Sequence, residues 1–268
     1  MPDGKREVKI LMLHGYTQSG PLFNSKTKAL HKLLQKSLSP APYNLHPTLI
    51  FPSGPHNLHP SDIPGYQPPD DGGDDAEDGP TDNWAWFRKE EATGLYRGLE
   101  PGMQSLASCI RAHGGIDGVC GFSQGGAMAA LVAAALEKPH KAPGSHTPSP
   151  TSSSPTSADW SWVEELREAN GGKPLDFAII YSGFWAPVPG LQWLYEPPIE
   201  TPTLHFIGSL DTVVEEGRST ALIKRCKDPM ELTHPGGHYV PVAKQWVMPL
   251  AQWLIQRYQH IGGAKESL

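Results

Sequence analysis

Cysteine is scarce in this chain. Only three occur among 268 residues, Cys109, Cys120 and Cys226. An odd number without paired spacing excludes a disulfide framework and a Cys-based zinc module, and a chain of this length buries enough core to need neither. Reduced thiols lead to the expectation of a cytoplasmic protein. Long apolar runs are missing too. The most apolar helical stretch, Ala127 to Leu136, is far too short to span a bilayer. Met1 to Lys9 is charged and lacks an apolar h-region, so no secretory signal is expected. Basic patches are absent as well, which removes nucleic acid from the expected partners. The formal charge is −6. Pro60 to Asn83 holds eight Asp/Glu and no Lys/Arg, which leaves the rest of the chain near neutral at +2. No internal repeat is visible.

What is present is a series of short apolar runs separated by helical patterns. Val8–Leu13, Thr48–Phe51, Val119–Cys120, Phe177–Tyr181, Thr203–Ile207 and Met230–Thr233 read as strands. Asn24–Leu38, Pro101–His113, Ala127–Leu136, Trp160–Ala169, Val213–Cys226 and Val242–Tyr258 read as helices or contain one. This alternation predicts an α/β fold: a mostly parallel central sheet with helices on both faces. We read residues 1–268 as one domain with two insertions. One spans about 56–83, acidic and rich in Pro and Gly; the other spans 139–159, rich in Ser and Pro and expected to be disordered.

The chemistry centres on Gly121-Phe122-Ser123-Gln124-Gly125-Gly126, between a predicted strand and a predicted helix. A G-x-S-x-G in that setting reads as a nucleophile elbow, in which small residues let strand and helix pass closely while the serine is lifted out of the sheet edge. Taken alone, the motif could equally be a glycine-rich turn with a solvated serine. A serine nucleophile needs a base, and the base needs an orienting acid. In elbow proteins these follow in the order Ser, Asp/Glu, His. Asp211 falls just after the Thr203–Ile207 run, and His238 just after Met230–Thr233. Both therefore sit at carboxyl ends of strands, where loops face one crevice. His234 is the competing base. His14 is expected to brace its turn.

Two backbone donors should hold the oxyanion. The Gln124 N–H follows the nucleophile, and the Tyr16 N–H belongs to the loop after the first strand. Losing one such donor typically costs about 3 kcal/mol of transition-state stabilisation. Trp185, Tyr239, Trp84 and Phe87 are the candidate walls of an apolar acyl pocket. No metal ion and no organic cofactor is required by this chemistry.

Several blocks in one order resemble the FSH family of serine hydrolases. They are Leu13-His14-Gly15-Tyr16, the elbow, Gly208-Ser209-Leu210-Asp211 and His234-Pro235-Gly236-Gly237-His238-Tyr239-Val240-Pro241. Phe51-Pro52-Ser53-Gly54-Pro55, Ala85-Trp86-Phe87 and Ile116-Asp117-Gly118-Val119 support them. The resemblance runs from Val8 to Tyr258. It implies an α/β-hydrolase fold, cleavage of carboxylic esters, and a triad of Ser123, Asp211 and His238. Some fungal members resemble thioesterases that release acyl products from carrier proteins. The expected substrate is thus a small-molecule ester or acyl thioester, free or carrier-bound. A non-catalytic binding protein on the same fold and a peptidase using the same triad are the alternatives. The two insertions exceed what the family pattern needs.

Overall fold

Strand β1 (Arg6–Leu13) shows why the sheet is buried on both faces. Its Val8, Ile10 and Met12 join one apolar cluster, and Leu11 and Leu13 join the other, the alternation that a pleated strand imposes. The computed structural model describes residues 4–63, 82–90, 96–142, 160–187 and 190–266. Helix α1 (Gly20–Leu38) follows β1, capped by the Ser19 side chain, which accepts from the Leu22 N–H. Then come β2 (Leu45–Ile50) and four two-residue strands: β3 (His56–Asn57), β4 (Trp84–Ala85), β5 (Arg88–Lys89) and β6 (Tyr96–Arg97). Helix α2 (Leu99–Ala112), β7 (Gly118–Phe122), α3 (Gln124–Leu136), α4 (Ser161–Ala169) and β8 (Phe177–Tyr181) follow. The described chain closes with β9 (Thr203–Gly208), α5 (Glu216–Ile223), β10 (Met230–His234) and α6 (Lys244–Glu266).

The main sheet has six strands in the order β10-β9-β8-β7-β1-β2, and every pairing in it is parallel. Helices α1 and α6 cover one face, with Phe23, Leu30, Leu34, Val247, Leu250 and Leu254 against Ile10, Phe177 and Phe206. Helices α2, α3 and α4 cover the other. All residues of α3 are buried, as expected of a helix apolar on every side, and its alanines let it lie close to the sheet. The chain winds outward from β1 to β2, then returns to place β7 on the other side of β1. The strand order reverses between those two strands, and their carboxyl ends form the crevice where such sheets bind ligands.

The predicted strands all occur, most of them longer by one to three residues, because the ladder recruits neighbours that apolarity alone does not mark. The helix expected within Val213–Cys226 is shorter than that window, Glu216–Ile223. The acidic insertion differs from expectation at its neck. His56–Asn57 pairs antiparallel with Trp84–Ala85, and the Leu58 N–H donates to the Asn83 carbonyl (2.8 Å). Residues 64–81 and 143–159, and with them most of both predicted insertions, lie outside the described residues. Among the described residues, no helix is long and apolar enough to cross a membrane.

Two buried histidines couple this fold to pH. Burial pushes His14 down to about 4, against the opposing effects of the Gly15 carbonyl and the Asp82 carboxylate. Burial alone pushes His205, on β9, down to about 4. The unfolded chain, with both imidazoles near 6.5, takes up protons that the folded chain excludes. Stability therefore rises with pH between about 4 and 6.5 and is lost as pH falls through that window. Between pH 7 and pH 5 we expect a loss of about 2 kcal/mol per imidazole. Urea unfolding at both pH values measures it. In His205→Leu the pH-dependent loss should shrink by about one imidazole's share; an undiminished loss would locate the effect elsewhere.

Candidate active site

The elbow is built by steric necessity. Ser123 has φ 55° and ψ −116°, a backbone conformation costly for a side-chain-bearing residue. A Cβ on Gly121 would run into the Gly125 carbonyl, and one on Gly125 into the Leu13 carbonyl. Only glycine at both positions lets β7 turn directly into α3 beside β1. The Ser123 N–H bonds the Tyr181 carbonyl at 2.8 Å, which ties the strained residue to β8. The serine is held at the mouth of the crevice, 8% exposed.

Asp211 comes from the loop after β9 and His238 from the loop after β10. Adjacent parallel pairing of these strands (His234 opposite Gly208) brings the two loops together. His238 Nδ1 lies 2.7 Å from Asp211 Oδ2, and His238 Nε2 lies 2.9 Å from Ser123 Oγ. A carboxylate only accepts, so Nδ1 carries the proton and Nε2 is free to accept from the serine hydroxyl. The imidazole packs on the Phe122 ring at 4.7 Å between centroids.

The Asp211 side chain is 2% exposed. Burial alone would raise its pKa. Hydrogen bonds from His238 and the Val214 N–H, together with the Ser182 hydroxyl, more than offset burial and hold the carboxyl below its ordinary value. Its second oxygen, Oδ1, accepts from both the Val213 and Val214 N–H groups at 2.9 Å. The buried Ser182 Oγ approaches the carboxylate without meeting hydrogen-bond geometry with any described group.

Across the crevice, the loop after β1 brings up Tyr16. Among the described residues, neither the Tyr16 N–H nor the Gln124 N–H has an intramolecular acceptor. His14 fixes the peptide that carries the Tyr16 donor. Its Nε2 accepts from the Gly54 N–H (2.8 Å), so its Nδ1 is the protonated nitrogen and donates to the Gly15 carbonyl (2.8 Å). In a trans peptide the N–H points opposite to the C=O. Holding the Gly15 oxygen on one side therefore directs the Tyr16 N–H to the other. Trp86 completes this frame: its Nε1–H donates to the His14 carbonyl at 2.9 Å, and its ring packs 4.9 Å from the imidazole. Replacing His14 with alanine should lower kcat by about 10²-fold, the scale of one lost oxyanion donor, with a much smaller change in KM. Steady-state kinetics on a folded variant, checked by its melting temperature, reads this. A change confined to KM would assign His14 to substrate binding.

The Gln124 side chain was not foreseen. Its Oε1 accepts from the Trp86 N–H (2.8 Å) and its Nε2 donates to the Phe87 carbonyl (2.9 Å), which latches residues 86–87 against the elbow. The signal existed in the Ala85-Trp86-Phe87 block, but it carried no indication of partner. His234 does not meet Ser123. It ends β10 between the rings of Tyr239 (5.0 Å) and Trp246 (5.8 Å), and both its nitrogens are buried without a partner among the described residues.

The crevice divides in two. A cleft of about 310 Å³ contains Ser123, Tyr16, Gln124, Phe87, Tyr96 and Phe184 on its walls. A second hollow of about 260 Å³ lies on the His238 side, between Phe23, Phe122 and Tyr239. A larger, polar hollow of about 440 Å³ near Lys9, Asp117 and Asn170 is at the opposite ends of the strands, away from Ser123. Of the four aromatic candidates, Phe87 lines the cleft and Tyr239 the second hollow. Trp185 instead packs under the Arg225 guanidinium at 3.4 Å, and its neighbour Phe184 takes the cleft position. Trp84 donates from its indole to Asp82 (3.0 Å) on the protein's exterior. Among the described residues no group of three or more His, Cys, Asp or Glu converges to hold a metal ion.

Comparison with known proteins gives the family and the fold. A "Dihydrofolate reductase" from Schizosaccharomyces pombe is 30% identical over 240 residues, which cover 88% of this chain. The chain spans only 44% of that relative's length. "Esterase OVCA2" from Mus musculus is 30% identical over 249 residues, covering 89% of this chain and 92% of that protein. Among solved structures, Zea mays acyl-protein thioesterase 2 superposes with a TM-score of 0.52 at 18% identity, over 96% of both chains. That likeness carries the fold, an α/β-hydrolase. The Serine hydrolase (FSH1) family matches residues 4–250, and this chain belongs to that family.

Proposed function

We propose that the protein hydrolyses carboxylic esters or thioesters through an acyl-enzyme on Ser123. The observation that carries this reading is the unbroken hydrogen-bond chain from Asp211 through His238 to Ser123, at 2.7 and 2.9 Å, opening directly onto a cleft that Phe87, Tyr96 and Phe184 help to line. Ser123 Oγ gives its proton to His238 Nε2 as it attacks the acyl carbon. The carbonyl oxygen, now an oxyanion, is held by the N–H groups of Tyr16 and Gln124. His238 then hands the proton to the departing alcohol or thiol, and the acyl group stays bonded to Ser123. Water, deprotonated by His238, attacks the acyl carbon and frees the acid, and the proton returns to Ser123. Asp211, kept anionic by its hydrogen bonds, stabilises the imidazolium in both halves.

The placement of the protein's groups also supports a division of the substrate into two parts. The proton donor for the leaving group faces the hollow beside Phe122 and Tyr239, so the alcohol or thiol leaves there. The oxyanion donors and nucleophile face the larger cleft, so the acyl group occupies it. Three free cysteines support a reducing, cytoplasmic setting. A panel of p-nitrophenyl esters, acyl thioesters and peptides tests the reading, with a fluorophosphonate probe to label Ser123. Ester or thioester turnover with labelling at Ser123 is expected. Peptide cleavage without ester cleavage, or no labelling of the folded protein, would overturn it.

A further inference from the structure

The acyl cleft carries a charge that an apolar substrate does not use. Its walls include three cations, Arg88, Lys89 and Arg218, and one carboxylate, Asp62, in a chain of net charge −6. Arg88 is committed: its guanidinium bonds Asp62 at 3.0 Å and the Asn57 carbonyl at 3.1 Å. Arg218, at the start of α5, has no such commitment. It forms no ion pair and donates no side-chain hydrogen bond among the described residues. Its guanidinium carbon sits 4.3 Å over the Phe184 ring, and its charge opposes the rise that burial gives the Tyr96 pKa. Stacking on an aromatic face occupies the flat of the guanidinium and leaves its N–H edge free, in the fork geometry that matches a carboxylate. An arginine held this way has already lost much of the freedom that a carboxylate contact would cost.

We propose that Arg218 is a specificity-determining residue that receives a carboxylate at the far end of the acyl chain. The preferred substrates are then half-esters or half-thioesters of short dicarboxylic acids. The reacting carbonyl lies at Ser123, a few methylenes run along Phe87, Tyr96 and Phe184, and the terminal carboxylate meets the guanidinium. A cleft of about 310 Å³ suits such a short chain. This rests on the reading above that the acyl group occupies this cleft.

The test compares mono-p-nitrophenyl esters of adipic, pimelic and suberic acids with the same molecules capped as methyl esters. These chains are too long for efficient attack by their own carboxylate. For the best-fitting length, wild-type kcat/KM on the free acid should exceed that on its capped partner by about 10-fold. Arg218→Met should bring that ratio to about 1, by losing more on the free acid than on the capped ester. Because Arg218 is exposed, the wild-type ratio should also fall as salt rises from about 20 mM to about 0.5 M. A wild-type ratio at or below 1, or one that Arg218→Met leaves in place, would overturn the proposal. If no ester is turned over at all, the functional reading fails and the anchor is judged by binding. Monomethyl adipate is titrated calorimetrically into Ser123→Ala and into Ser123→Ala/Arg218→Met. Binding about 10-fold weaker in the double variant keeps the anchor, and equal or undetectable binding in both rejects it.

Discussion

Replacing Ser123 with alanine is expected to lower kcat by about 10⁶-fold and to abolish fluorophosphonate labelling. The size follows from how the site is wired. Among the described residues, the hydroxyl is the hydrogen-bond partner of His238 Nε2, at 2.9 Å, and it stands in the cleft with Tyr16 and Gln124. Without it His238 has no proton to take, and Asp211 stabilises a charge that never forms. A residual rate above the uncatalysed one should survive, because Tyr16 and Gln124 still polarise a bound carbonyl. The substitution leaves the backbone conformation of residue 123 as it is and deletes one hydrogen bond, so the melting temperature should change little. Activity within 10-fold of wild type would remove Ser123 from the chemistry.

The second large effect is expected at Asp211. Asp211→Asn keeps shape and volume but should lower kcat by about 10⁴-fold. A carboxylate can only accept, which fixes the proton on His238 Nδ1 and leaves Nε2 open to the serine. An amide can turn its NH₂ toward Nδ1, which moves the ring proton to Nε2, the wrong side for a base. The charge that stabilises the imidazolium is lost as well. Burial makes the dependence steep: the carboxylate side chain is 2% exposed, so no solvent screens its action on His238. The measurement is kcat for the variant beside a melting curve. A fall smaller than 10-fold would mean that another group orients His238.

These effects trace to a site whose chemical parts stand far apart in the chain. Ser123 and His238 are separated by 115 positions, yet the parallel ladder of β7, β8, β9 and β10 sets the spacing of their loops. Tertiary structure also gives the Gln124 side chain a structural task, since it latches residues 86–87, between β4 and β5, against the elbow. The same latch explains why Trp86 is fully buried.

Local pattern was enough for the sheet's strands, for the elbow and for the order of Ser123, Asp211 and His238. Apolar runs favour burial in a sheet, and glycines flanking a serine between strand and helix leave the backbone few shapes. The run Phe177–Tyr181 became strand β8 residue for residue. What local pattern could not supply was which side chains meet across long loops. Trp185 and Phe184 are neighbours with the same aromatic character, and only packing against α5 sends Phe184 to the cleft while Trp185 goes under Arg225. The tie between His56–Asn57 and Trp84–Ala85 depends on a pairing across 27 positions, invisible to any short window. Arg218 likewise reads as one more surface cation until the Phe184 ring is placed under it and both are found on the wall of the cleft that holds Ser123. Secondary structure follows from each residue's neighbours in sequence, whereas a binding site is decided by neighbours in space, which the fold alone brings together.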